Sequence, residues 1–179
     1  MTRIVVYESV YGNTRAVAEA VADGLGEALV VAVEDANTVL EDAELVVVGG
    51  PTHMHGLTTA RSRRMGAAAA HPERGTHVEA GATNELGLRR WLHEVSGAER
   101  VRAAAFDTRL HSSKLMTGSA ARAIARRMRR RGFDMLGTRS FLVSDGEGPL
   151  DEGELERARA WGASLAAALP ARERPAVTS

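Results

Sequence analysis

A short polar turn near the start of the chain carries residue types that suit phosphate binding. Ser9, Gly12, Asn13 and Thr14 lie in the stretch ESVYGNT, between an apolar run and a helical pattern. Glycine lets the backbone approach an anion closely, while hydroxyl and amide groups donate hydrogen bonds without carrying charge. Free backbone N–H groups and the positive end of a helix dipole also meet at such a turn. Asn and Thr are equally favoured as ordinary helix caps, so the turn alone predicts either phosphate binding or a cap.

Two further loops follow apolar segments and carry side chains suited to hydrogen bonding. The first is GGPTHMHG at residues 49–56, and the second is FDTRLH at residues 106–111. His53 and His55 have an i, i+2 spacing that could suit a metal, but no third ligand is evident, so no metal site is predicted. Both residues can equally be interpreted as solvent-exposed loop histidines without a functional role.

Short apolar segments alternate with helical patterns along the chain. Strands are predicted at residues 3–7, 29–33, 45–48, 101–106 and 138–143, and helices around 15–25, 88–95, 121–128 and 155–169. Continuous apolar runs are typical of strands that are buried on both faces of a parallel sheet. The alternation therefore predicts an α/β protein with right-handed crossovers. In such sheets ligands bind at the carboxyl edge, where all three polar loops would lie.

The segments at the end of the chain predict the limits of one domain. Asp151 and Glu154 have the spacing of a capping box, and they should open the last helix. Its buried face is predicted to contain Leu155, Ala158, Gly162, Leu165 and Leu169. Residues 170–179 contain two prolines and no apolar period, which predicts a flexible tail after a single domain at residues 1–169.

One connection is longer than the others. Residues 58–83 show no clear apolar period, although an alanine run within them could form a short helix. Long connections of this kind are usually functional lids or mobile excursions. We therefore treat the segment as a candidate cover for whatever binds at the carboxyl edge.

Charge and composition exclude several classes of function. Basic and acidic residues both number 23, so the net charge is zero and predicts no nucleic-acid or anionic-membrane partner. The absence of cysteine excludes disulfides, thiolate catalysis and Cys-ligated metals. No apolar run approaches the roughly 20 residues that span a bilayer, and no secretory signal is evident at the start. A cytoplasmic protein is expected.

Arginines are concentrated in the helical pattern that ends near residue 131. They are Arg122, Arg126, Arg127, Arg129, Arg130 and Arg131. We interpret them as a solvated helix face whose last cations suit the C-terminal dipole. The alternative is a docking face for an acidic partner or for the phosphate of a second cofactor.

The stretch SVYGNT resembles the phosphate loop of flavodoxins, which has the general form Ser/Thr-x-Ser/Thr-Gly-x-Ser/Thr. Tyr11 departs from the small hydroxyl residue that is usual at the third position. The resemblance extends from residue 3 to about 169, because all three loops occur in the expected order. It implies a flavodoxin-like α/β fold, a three-layer doubly wound sandwich with a five-stranded parallel sheet in the order 2-1-3-4-5. It also implies one FMN at the carboxyl edge.

The resemblance further implies which residues would hold FMN. The phosphate would be bound by Ser9, Val10, Tyr11, Gly12, Asn13 and Thr14. The ring would lie between Pro51, Thr52, His53, Met54, His55 and Gly56 on one side and Asp107, Thr108, Arg109, Leu110 and His111 on the other. Flavodoxins usually carry aromatic side chains in these two loops, whereas here His53 or His55 would have to contact the ring.

Three functions are compatible with the resemblance. The preferred one is an electron-transfer protein that serves a redox partner protein, as a monomer or homodimer, although such carriers are usually acidic and this chain is neutral. The second is an FMN-dependent NAD(P)H oxidoreductase that reduces a quinone or another small electron acceptor, although no nicotinamide site is evident. The third is a flavin-free interaction or sensor module.

Overall fold

The computed structural model describes most of the 179-residue chain, namely residues 2–40, 42–53, 56–70, 78–79, 81, 87–97, 101–111, 118–145 and 148–170. The long strands are β1 Thr2–Tyr7, β2 Leu29–Ala32, β3 Ala43–His53, β4 Arg102–Leu110 and β5 Asp134–Val143. The helices are α1 Asn13–Leu25, α2 Ala60–Ala69, α3 Leu88–Glu94, α4 Ala120–Arg130 and α5 Glu154–Ala167. Within these residues no helix is long and apolar enough to cross a membrane.

The long strands form one parallel sheet in the order β2-β1-β3-β4-β5. This order and the alternating helices confirm the predicted flavodoxin-like α/β fold. A short strand at Gly56–Leu57 adds an antiparallel pairing to the end of β3. Strands β3 and β4 both continue beyond their apolar runs into polar residues. Most residues of the two later predicted loops therefore lie within these strands, at the carboxyl edge of the sheet.

Helices cover both faces of the sheet. Helices α1 and α5 pack with Val5 and Phe106 on one face, while α3 and α4 pack with Val6 and Ala105 on the other. Each central strand is therefore buried on both sides, which is why its sequence is continuously apolar.

The connection between β2 and β3 is short. Its described residues, 33–40 and 42, form a turn and a short strand and contain no helix. Helix α3 packs against this connection, and the Trp91 indole nitrogen donates to the Asn37 carbonyl at 3.1 Å. Strand β2 remains partly uncovered, so Leu29 is 57% exposed beside a groove of about 420 Å³.

Helices α1 and α5 touch at their backbones. A Cβ atom added to Gly162 would lie 2.2 Å from the Val21 carbonyl oxygen, and one added to Gly24 would lie 1.9 Å from the Arg159 carbonyl oxygen. Real Cβ atoms cannot approach a carbonyl oxygen this closely, so only glycine fits at these two positions. The contact fixes α1, and with it the turn that precedes α1, against the C-terminal helix.

The predicted capping box of the last helix is wrong. Gly153 is the N-cap with φ of 80° and no side chain caps the helix, while Asp151 lies outside it. The Glu154 carboxylate turns inward instead and accepts a hydrogen bond of 2.9 Å from the Leu142 amide. Ala158, Gly162, Leu165 and Leu169 are buried as predicted, whereas Leu155 is 39% exposed, because Glu154 takes the buried position at the start of the helix.

The long connection contains helix α2, so the predicted short helix is confirmed, although it begins well before the alanine run. Thr59 and Ser62 form a reciprocal capping box at its start. Most of the connection after residue 70, and residues 171–179 of the predicted tail, lie outside the described residues.

Candidate functional site

The turn between β1 and α1 is built around Gly12. Gly12 is the N-cap of α1 in the left-handed conformation, with φ of 87°, which favours glycine. Its amide donates to the Ser9 hydroxyl at 3.1 Å, and no side chain caps the helix. Asn13 and Thr14 are therefore the first residues of α1 and do not act as caps. The first amides of a helix have no intrahelical acceptor, so this helix end suits an anion.

The polar side chains of the turn bind other parts of the chain. The Asn13 side-chain amide donates to the Gly148 carbonyl at 2.7 Å, and the Thr14 and Thr108 hydroxyls share a hydrogen bond of 2.8 Å. The Tyr11 hydroxyl donates to the Gly66 carbonyl of α2 at 2.9 Å. These three bonds hold the turn against three different segments. The ring of Tyr11 spans the distance from the turn to α2, which a small hydroxyl residue at this position would be too short to do.

A cavity of about 510 Å³ lies beside this turn, at the carboxyl edge of the sheet. All three predicted loops contribute to its wall, together with α2. From the loops come Ser9, Val10, Tyr11, Asn13, Thr14, Pro51, Thr52, His53, Thr108, Arg109 and Leu110. Volumes of about 300–1,000 Å³ are usual for small-molecule and cofactor sites.

Four predicted site residues do not line this cavity, and two lie outside the described residues. Gly12 contributes its backbone conformation, and Gly56 pairs with the end of β3. His111 is exposed and pairs with Asp151 near the start of α5. The fourth is Asp107. Met54 and His55 lie outside the described residues.

Asp107 is fully buried beneath the N-terminus of α4. Its Oδ2 atom accepts hydrogen bonds from the Thr52 hydroxyl at 2.9 Å, the Ser119 hydroxyl at 2.7 Å and the Ala121 amide at 3.0 Å. The Thr52 hydroxyl in turn accepts from the Ala120 amide at 2.9 Å. This carboxylate therefore fixes α4 to the ends of β3 and β4.

Helix α2 lies in the segment predicted as a candidate cover, and it forms a wall of the cavity, although none of its residues was predicted as a site residue. Ser62, Met65 and Gly66 line the cavity at i, i+3 and i+4, and Arg63 contributes between them. Met65 is a large apolar side chain that is 60% exposed. The i, i+3, i+4 spacing places these residues on one helix face, but Met65 is the only large apolar residue among them, so the sequence shows no apolar period that would have identified the face.

Glu8 joins the turn to α2 and α3. Its side chain is 4% exposed and pairs with that of Arg63, which is 3% exposed, at 3.1 Å. The same Oε2 atom accepts from the Leu88 amide at 2.8 Å, and Oε1 accepts from the Thr58 hydroxyl. Although Glu8 is part of the ESVYGNT stretch, it does not line the 510 Å³ cavity and instead holds the cavity wall in place.

Glu79 brings negative charge close to the turn. Its amide donates to the Val10 carbonyl at 2.9 Å, and its carboxylate lies 3.6 Å from the Arg15 guanidinium. A hydrogen bond to Glu19 raises the pKa of Arg15, which stays cationic. Burial raises the pKa of Tyr7, with the Glu79 charge adding to the shift, so the Tyr7 hydroxyl stays neutral at physiological pH.

Comparisons with known proteins agree with this architecture. Residues 4–62 match the family model of the flavodoxin domain. A flavodoxin from the domain Archaea is 22% identical with a TM-score of 0.60, covering 94% of this chain and 98% of that chain. A flavodoxin, WrbA-like protein from Agrobacterium tumefaciens is 22% identical with a TM-score of 0.55, covering 93% of this chain and 96% of that chain.

Oxidised Flavodoxin 2 from Bacillus cereus is 14% identical with a TM-score of 0.58, covering 94% of this chain and 100% of that chain. No curated protein sequence matches the chain. The chain therefore has a flavodoxin-like α/β fold. The resemblance to the flavodoxin-like family that the three loops indicated is confirmed.

Proposed function

We propose that the chain binds one FMN in the 510 Å³ cavity and exchanges electrons with a redox partner protein or a small acceptor. The observation that carries the proposal is the start of α1, which opens beside the cavity with Gly12 as its N-cap and without a side-chain cap. Backbone amides and the helix dipole at this end favour a phosphate group.

The residues of the cavity fit both ends of FMN. Ser9 and Thr14 supply neutral hydroxyls beside the helix end, so they would hold the phosphate together with the backbone of the turn. Pro51, Leu110 and Met65 supply apolar surface that suits a flavin ring. FMN supplies the redox chemistry when bound, while these residues bind it, orient it and limit its contact with water.

The exposure of the cavity wall supports electron exchange with a partner. His53, Met65 and Leu110 all line the cavity and are all exposed to solvent. A ring bound among them would be within reach of a docking protein or of a small acceptor such as a quinone. Anaerobic mixing with NADPH or NADH distinguishes the two uses, because rapid direct reduction of the bound flavin would favour the oxidoreductase over the carrier.

Replacing Thr14 with Val tests the phosphate end of the site. We expect Thr14→Val to weaken FMN about tenfold or more, because a hydrogen bond to a charged group contributes about 1.5–3 kcal/mol. Riboflavin lacks the phosphate, so its affinity should change less than about twofold. Titrations that follow flavin fluorescence measure both dissociation constants.

Ser164→Ala is a matched control for this variant, because the Ser164 hydroxyl donates to the Trp161 carbonyl within α5, away from the cavity. It should leave both affinities unchanged. Equal weakening of FMN and riboflavin by Thr14→Val would mean that the hydroxyl only supports the turn. Failure of the unmodified protein to bind FMN at micromolar concentration would contradict the proposed function.

Replacing Glu79 with Gln tests the electrostatics of the turn. The neutral variant should bind FMN about two- to fivefold more tightly at low salt, because the Glu79 carboxylate repels the phosphate. A charge near a helix terminus contributes about 0.3–1 kcal/mol, which sets the size of the effect. The gain should shrink as added salt screens the repulsion between Glu79 and the phosphate in the unmodified protein. Glu94→Gln, which removes an exposed carboxylate paired with Arg90 on α3, is the control and should have no effect. Unchanged FMN affinity in Glu79→Gln would show that this carboxylate does not oppose phosphate binding.

A further inference from the structure

A second pocket, of about 300 Å³, lies between the N-terminus of α4, strand β5 and helix α5. Four arginines from four different elements line it. They are Arg109 of β4, Arg122 of α4, Arg139 of β5 and Arg157 of α5. We call it the arginine pocket. It is distinct from the arginines in the last turn of α4, Arg127, Arg129 and Arg130, which lie at the opposite end of that helix from Arg122.

The charged side chains that line the arginine pocket are all cationic. Arg157 is held in place by Glu154 and by a bond of 3.2 Å to the Ser140 carbonyl. Among the described residues, neither Arg122 nor Arg139 forms an ion pair with a carboxylate, and both are exposed. Clustered guanidinium groups repel one another, and a bound anion relieves that repulsion.

The lining of the arginine pocket determines which anion it fits. Its walls are mainly guanidinium and hydroxyl groups, with Leu142 as the apolar contributor. Guanidinium forks match the oxygens of phosphate in paired hydrogen bonds. Helix α4 also begins here, with Ser119 as its N-cap and Arg122 in its first turn.

The arginine pocket adjoins the larger cavity. Arg109 is 7% exposed and lines both of them. A buried guanidinium at the shared wall can contact a small group that enters the pocket, but a flat protein surface could not reach it. This depth favours a small molecule over an acidic protein.

We infer that the arginine pocket is a second anion site, which binds the phosphate or pyrophosphate group of a small molecule. The inference goes beyond FMN binding, because it rests on residues that do not form the turn before α1. A phosphate held there would keep the rest of its molecule beside the 510 Å³ cavity.

Titration of the full chain with inorganic pyrophosphate tests the inference, with ionic strength held constant by sodium chloride. Calorimetry should show saturable binding to the unmodified protein. The double variant Arg122→Gln with Arg139→Gln should weaken it about tenfold or more, because each lost charge-assisted hydrogen bond contributes about 1.5–3 kcal/mol. Arg129→Gln with Arg130→Gln removes the same charge from the far end of α4, and it should leave the affinity within about twofold.

Three outcomes would overturn the inference. The first is the absence of saturable binding, and the second is an equal loss in both double variants, which would indicate general charge attraction. The third is binding of an acidic peptide that depends on Arg122 and Arg139 but is not displaced by pyrophosphate.

Thr14→Val separates this site from the FMN site. If pyrophosphate binding is lost in Thr14→Val but kept in Arg122→Gln with Arg139→Gln, the anion binds at the turn and the inference about the arginine pocket is overturned. If pyrophosphate binds with the expected arginine dependence while FMN does not bind at all, the inference stands and the proposed function fails.

Discussion

Replacing Glu8 with Ala is expected to lower the free energy of unfolding by about 3–5 kcal/mol, which is the usual effect of removing one partner of a buried ion pair. The variant removes the Glu8 carboxylate from the buried Arg63 guanidinium, and it also removes the acceptor of the Leu88 amide. Urea unfolding followed by circular dichroism measures the change. The proposed binding of FMN should weaken as well, because α2 loses its contact with Glu8.

Glu19→Gln is the matched control for Glu8→Ala. Glu19 pairs with Arg15 one turn away on α1, with both side chains about half exposed, and such pairs contribute about 0.3–0.5 kcal/mol. If Glu8→Ala does not yield folded protein, the double variant Glu8→Leu with Arg63→Met provides the test. It should be folded and more stable than Glu8→Ala, since apolar replacement of both partners of a buried pair often restores stability. A loss in Glu8→Ala as small as that in Glu19→Gln would contradict the prediction.

Replacing Gly162 with Ala is expected to destabilise the protein by about 1–3 kcal/mol, the usual cost of overpacking. Alanine favours a helix by about 1 kcal/mol over glycine, so the propensity alone predicts the opposite sign. Overpacking should dominate, because the new methyl group would lie 2.2 Å from the Val21 carbonyl oxygen, and a backbone atom cannot rotate away. Thermal or urea unfolding measures the sign directly.

Gly137→Ala is the control for this steric effect. A Cβ atom at Gly137 would meet no other atom within 4 Å. The variant should be neutral or more stable by about 0.4–1 kcal/mol, since alanine reduces the freedom of the unfolded chain. Stabilisation by Gly162→Ala as well would mean that α1 and α5 have room between them.

Sequence reasoning could predict the sheet because its signals are local. The apolar runs around Val5 and Val47 are continuous since helices cover both faces of the strands, and burial imposes this composition directly. The carboxyl edge follows from the parallel order, so the three loops could be assigned to one edge. Their residues meet at one cavity because β3 and β4 extend past their apolar cores.

Helix α2 and the role of Glu8 could not be predicted in the same way. Helix α2 is rich in arginine and alanine and lacks an apolar period, and its position depends on the Arg63–Glu8 pair. Asp107 has a residue type and position that suit ligand binding, yet its carboxylate accepts a hydrogen bond from the Ala121 amide at the start of α4. Likewise, Glu154 does not form the predicted capping box, because its carboxylate accepts a hydrogen bond from the Leu142 amide instead. In each case a distant partner determines the role.

The bonds of Glu8 also bear on the order in which the protein folds. Its carboxylate joins Thr58, Arg63 and Leu88, which lie 50, 55 and 80 positions further along the chain. Closing loops of this length costs chain entropy before any bond is gained, and contacts between distant positions slow folding. We therefore expect the wall formed by α2 to assemble late, after β1 and β3 have paired. A destabilising change at Glu8 should then act mainly by speeding unfolding, with little effect on the rate of folding.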